Sequence, residues 1–307
     1  MPRRLSIGLA GSFIGQQNRE EAIMSEGLDI SRLIETSDQM FDTSYPGFIH
    51  AHRQPGPAAG QTELHFPCGL ICVTNSNPME TELMYNEIFV NKHYMLGGIT
   101  VDSGNMVIDI GANVGMFTMF LLRNFKGLCI HTIEPVPATY EILKHNLERY
   151  GDLGKVKTHK LAIGAHPDTE TEIVVYPNMT GNSTMFPETK KSQREGTSTM
   201  FSEEENEFLY TQIKLSVRTT TLSSLINADA IDRIDLLKID AEGSEVGILN
   251  GLEPQHWELI RQIAVEVHDQ EQNLPKVIEI IESNGMKALP VDDTLDSFGN
   301  ITITATR

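Results

Sequence analysis

The chain has 307 residues, 40% apolar and 21% charged, with 24 Gly and 14 Pro, enough for a full hydrophobic core and unlike a fibre or a disordered chain. Its 42 acidic against 24 basic residues leave a formal net charge of −18, which repels phosphate backbones and anionic lipids and argues against nucleic-acid or membrane partners. No run approaches the ~20 apolar residues of a membrane-spanning helix.

Taken in chain order, residues 1–78 read as an accessory segment ahead of a main domain over 79–307. The stretch 5–14 is broken by Gly8, Ala10, Gly11 and Ser12 and does not read as a secretion signal, so a cytoplasmic location is expected. Residues 20–35 carry short helical patterns, and 50–60 is a Gly- and Pro-rich loop. Cys68 and Cys72 lack the second pair that would complete a zinc site, and Cys129 reads as a small core residue. Asn77-Pro78 opens a predicted helix over 79–96, with Leu83, Met84, Ile88, Phe89 and Tyr94 near helical spacing, placed either to edge a cleft or to pack the core.

From 106 the pattern becomes an alternation. Strands are predicted at 106–110, 128–133, 156–163, 234–239 and 263–267, and helices at 116–122, 138–150, 222–228, 245–249 and 275–284. This succession predicts a doubly wound, mostly parallel α/β sheet, closed by an antiparallel hairpin from 286–289 and 301–304. Residues 165–216 interrupt it with a strand at 172–176 and a polar stretch over 177–207, too long for an ordinary connection and expected to cover a ligand site. The pattern resumes at 213–221. The clusters Lys155, Lys157, Lys160 and Lys190, Lys191, Arg194 read as solvated faces, the sequons at Asn178 and Asn182 as turn-forming residues, and Tyr176, Tyr210 and Trp257 as filler unless they shape a pocket.

The chemistry is concentrated in Val107-Ile108-Asp109-Ile110-Gly111-Ala112-Asn113-Val114-Gly115. A strand ending in Asp109 and turning through Gly111 brings backbone N–H groups to a ligand, and Gly115 lets the next helix approach closely. The spacing is neither G-x-G-x-x-G nor a P-loop. An acid at that turn repels a pyrophosphate but attracts an ammonium, which favours an amino-acid-bearing cofactor, S-adenosylmethionine, over NAD. Glu134 ends the second strand, where a carboxylate accepts hydrogen bonds from ribose hydroxyls or caps the turn at Pro135.

In order, Asp109 to Gly115, Glu134-Pro135, a Thr221-Leu222-x-x-Leu225 segment, the block from Lys238-Ile239-Asp240 through Glu242-Gly243 to Glu245, and Glu266-Val267-His268 resemble the FkbM family of methyltransferases over about residues 80–290. That resemblance implies a class I methyltransferase (Rossmann-like) fold with a seven-stranded sheet, S-adenosylmethionine as donor and, most often, O-methylation of a small metabolite. The cofactor set is then Asp109, Gly111, Asn113, Gly115, Glu134, Ala162 and Asp240. His268, Asp240 and Glu242 form the catalytic set, with His268 as general base because an ordinary imidazole titrates near neutrality, at ~6.5.

No metal ligand is assigned. A metal-assisted route through Asp240, His268 and Asp269 is kept as an alternative, as are N-methylation and a non-catalytic S-adenosylmethionine-binding module. The expected partner is a small hydroxylated molecule, and a homo-oligomer is compatible with the sequence.

Overall fold

The computed structural model describes residues 47–75, 77–190, 194, 202–268, 270–291 and 300–307. The helical patterns at 20–35 fall outside them. Three short strands, β1 (His52–Pro55), β2 (Thr62–His65) and β3 (Ile71–Thr74), form an antiparallel sheet. Helix α1 (Pro78–Tyr85) follows, with the Asn77 side chain accepting from the Met79 N–H at 2.9 Å and Pro78 in the first turn. The predicted helix over 79–96 then continues as a π-helical turn, Asn86–Val90, and a short 3₁₀ turn, His93–Met95.

The main sheet has seven strands in the order β12-β13-β11-β10-β4-β5-β6. These are β4 (Met106–Ile110), β5 (Cys129–Ile133), β6 (Lys155–His159), β10 (Leu236–Ile239), β11 (Gln262–Val267), β12 (Lys287–Val291) and β13 (Ile301–Thr306). Six run in one direction, and only β13 is reversed, antiparallel to both β11 and β12, which is the expected closing hairpin. The innermost strands are buried on both faces, as in a sheet covered on two sides.

Helices α2 (Met116–Asn124) and α3 (Pro137–Glu148) pack with the small N-terminal sheet in one core, while α5 (Leu222–Ala228) and α6 (Glu245–Asn250) belong to the other. Asn146 on α3 ties the layers together: its side chain accepts from Val73 N at 2.7 Å and donates to the carbonyls of Val73 and Val114. The remaining helices are α4 (Glu203–Leu209), α7 (Pro254–Trp257) and α8 (Gln270–Ser283).

Two sequence expectations are corrected. The single strand expected over 156–163 is two: β6 ends at His159, whose carbonyl takes the Glu134 N–H, and β7 (Ala162–Ile163) leaves for another sheet. That sheet has the order β7-β9-β8, with β8 (Thr169–Val175) and β9 (Ile213–Thr220), so 213–220 does not rejoin the main sheet. The exposed faces of Lys214, Ser216 and Arg218 mark β9 as a half-buried strand.

Candidate active site

The ends of β4, β5, β10 and β11 meet at one edge of the main sheet. Gly111 follows β4 with φ +73°, and a Cβ there would lie 1.7 Å from the Asp240 carbonyl oxygen, so only glycine lets the two strand ends touch. Gly115 has φ +92°, and a Cβ would meet Leu143 at 2.8 Å, which is why α2 can start so close to α3.

Glu134 is buried at the end of β5 and gathers the backbone N–H groups of Asn113, at 3.0 Å, and Val136, at 2.9 Å. Burial pushes its carboxyl up to about 7, against those two donors and the Lys238 ammonium. Beside it lies a small apolar cleft of about 50 Å³ walled by Gly111, Ile133, Pro135, Ala162 and Met185. Asn113 itself has φ +48°, and its buried side-chain oxygen has no hydrogen-bond partner, leaving an acceptor for a ligand's donor.

Asp109 is fully buried, accepts from the Thr118 hydroxyl at 2.7 Å and pairs with Lys238 at 3.2 Å. Its charge is matched inside the protein, so it orders the loop rather than presenting a free carboxylate to an ammonium. Lys238 also donates to the Gly111 carbonyl at 2.9 Å and lies 3.6 Å from Asp240. Burial opposes its charge, but Asp109 and Asp240 prevail and raise its pKa.

Asp240 is the most open of the site acids, with 27% of its side chain exposed against 19% for Glu266, 16% for Glu242 and none for Glu245. The Tyr94 hydroxyl joins Asp240 and Glu266, at 2.9 Å from each. Burial opposes ionisation of Asp240, yet Lys238 and His268 hold its pKa below the usual carboxylate range.

His268 is buried among acids: Nδ1 lies 2.9 Å from Glu245, and Nε2 lies 3.2 Å from Glu242 and 3.7 Å from Glu266. Burial works against the imidazolium, but Glu242, Glu245 and Glu266 overcome it and push His268 up to about 10. The premise of an unshifted imidazole therefore fails here. At neutral pH His268 carries its proton and serves as the cation among three carboxylates. Glu242, at φ +50°, also pairs with Lys190.

The structure thus brings Asp240, Glu242 and His268 together, sets Gly111 and Ala162 in the wall of the neighbouring cleft, and joins Asn113 to Glu134. Sequence reasoning missed Tyr94, Lys190, Lys238 and Glu266 as members. Lys190 is buried, and the expectation of a solvated face is corrected for it: the insertion folds back so that its ammonium meets Glu242 and Asn182. In the metal alternative, Asp269 lies outside the described residues, while Asp240, Glu266 and His268 bring potential ligand atoms within 4.8 Å of one another. Tyr176, Tyr210 and Trp257 are buried in apolar clusters, and Asn178 and Asn182 are buried too.

The methyltransferase FkbM domain family matches residues 109–288. The chain is 32% identical over 212 residues to Methyltransferase 1 of Beauveria bassiana (strain ARSEF 2860), covering 67% of this chain and 81% of that protein. It is 30% identical over 216 residues to Methyltransferase sdnD of Sordaria araneosa, covering 67% and 82%. With the 31-O-demethyl-FK506 methyltransferase FkbM of Streptomyces tacrolimicus it shares 29% identity over 233 residues, covering 73% of this chain and 88% of that protein.

Proposed function

The chain belongs to the FkbM methyltransferase family, and from that membership we propose that it uses S-adenosylmethionine to methylate a hydroxyl group of a small metabolite. The observation that carries this reading is the juxtaposition of two half-sites at Gly111: Glu134 with its apolar cleft on one side, Asp240 with Tyr94 and Glu266 on the other. The first half suits a nucleoside, with aliphatic walls for a base and a carboxylate for ribose hydroxyls. The unpaired Asn113 oxygen and the close Gly111 turn fit the rest of such a ligand. When bound, S-adenosylmethionine supplies an electrophilic methyl group on a sulfonium.

The work of the protein is then to orient an acceptor oxygen and move its proton. Asp240, the most exposed of the site acids, receives the hydroxyl proton, and Tyr94 fixes its orientation. His268 holds Glu242, Glu245 and Glu266 in place through its positive charge. An oxygen acceptor is supported by the relative from Streptomyces tacrolimicus, whose name specifies a 31-O-demethyl acceptor.

Incubating the purified chain with methyl-labelled S-adenosylmethionine and a panel of small hydroxylated metabolites tests the reading. Labelled methyl ethers are expected. A panel that labels only amines or only protein overturns the oxygen assignment, and binding of the donor with no transfer to any class favours a regulatory module. A metal-assisted reading rests on the Asp240, Glu266 and His268 grouping; transfer abolished by a chelator and restored by a divalent ion would select it.

A further inference from the structure

A second cluster of ligating side chains stands apart from the strand ends just described. His131 on β5 and His159 on the edge strand β6 point to the same face of the main sheet, because the register pairs His131 with Lys157 and Ile133 with His159. Their rings stack with centroids 5.2 Å apart and planes at 16°. Asp229, the residue that ends α5, reaches over them. Nδ1 of His131 lies 3.1 Å from Nε2 of His159, and Asp229 Oδ2 lies 3.1 Å from the first nitrogen and 3.4 Å from the second.

From these residues we infer a binding site for a divalent transition-metal ion of the zinc type, held by His131, His159 and Asp229.

The spacing is the first support. Ligands at 2.0–2.1 Å from zinc in a tetrahedron stand about 3.3 Å from one another, and the three atoms match one face of such a figure. The second is Asp229 Oδ2, which is buried and makes no hydrogen bond of proper geometry, although both imidazoles are in ion-pair reach. Its partner oxygen, Oδ1, is taken by the Lys157 ammonium at 2.6 Å. Three electron-pair donors therefore converge on one point, and a shared cation relieves their repulsion better than a single proton between two nitrogens.

An ion here would tie the edge strand β6 to the end of α5, away from Asp240. It would leave a fourth position for water. The active-site acids differ: Lys238 and the His268 imidazolium already balance them.

The full chain, stripped with a chelator and titrated with Zn²⁺, is expected to retain one equivalent through gel filtration and to melt at a higher temperature. In His159→Ala and in Asp229→Asn that equivalent should be lost, or its affinity lowered tenfold or more, while Asp240→Asn keeps it. Co²⁺ in place of zinc should give visible absorption bands that vanish in the same two variants. On the unmodified chain, ¹⁵N-histidine spectra should show two imidazoles shifting with one equivalent of Zn²⁺, a readout that needs no variant to fold. No retained zinc at micromolar free ion, unmoved histidine signals, or loss of the ion only in Asp240→Asn would each overturn the inference.

Discussion

Glu134 holds a charge in a place that resists it. With its carboxyl pushed up to about 7, the residue is largely protonated below that pH and ionised above it. If the ionised form accepts the ribose hydroxyls, donor affinity rises with pH to about 7 and then levels off, and calorimetry in Glu134→Gln should show no such dependence. Glu134→Ala should weaken binding roughly tenfold or more, the loss of a charge-assisted hydrogen bond of ~1.5–3 kcal/mol.

At His268 the sign is that of a base raised on folding. Its contribution to stability is complete below the ordinary 6.5 and is lost as pH rises through about 10. The gap in melting temperature between the wild type and His268→Asn should therefore close across that window. Asp240→Asn keeps an acceptor for Tyr94, yet should lower single-turnover transfer by ~10²–10⁴-fold, the usual share of a positioned base. Unchanged transfer in a folded Asp240→Asn enzyme would remove it from the proton path. The positions of Asp240, Glu242 and His268 were legible because each follows an apolar strand run. The protonation of His268 was not, because it depends on Glu242 and Glu245, which reach it from the loop and helix after β10.

Among the elements, the alternation of strands and helices was readable wherever apolar residues dominate a short run, as in β4 and β10. The separate β7-β9-β8 sheet was not, because 156–163 holds no Gly or Pro to mark where the chain leaves one sheet for another. The insertion was marked by its length, and the described part bears on the expectation of a cover. Gly181 donates to Glu80 at 2.7 Å, Thr184 to the Glu242 carbonyl at 2.5 Å, and Met185 lines the apolar cleft. One segment thus touches both half-sites. Amide exchange over 177–190 should slow when donor and acceptor bind and should quicken in Lys190→Met. Exchange that ignores both ligands would make the segment a fixed wall.

For the molecule as a whole, the N-terminal sheet is part of the core. Leu64, Phe66, Leu70, Cys72 and Val73 are buried in the same cluster as α2 and α3. At ~1.5–3 kcal/mol for each fully buried side chain, removing them erases a large part of a stability of about 5–15 kcal/mol. A chain starting at residue 77 should aggregate or melt more than 10 °C lower, and an unchanged melting temperature would mean that the sheet is dispensable. The close approach of Gly111 to Asp240 has a further consequence. In the proposed function, the strand on the donor side and the strand on the acceptor side share a van der Waals surface with no room for a methyl group. Any shift that a ligand on one side imposes on its strand end is then passed to the other strand end. By thermodynamic reciprocity, whatever factor the acceptor adds to donor affinity, the donor returns to the acceptor.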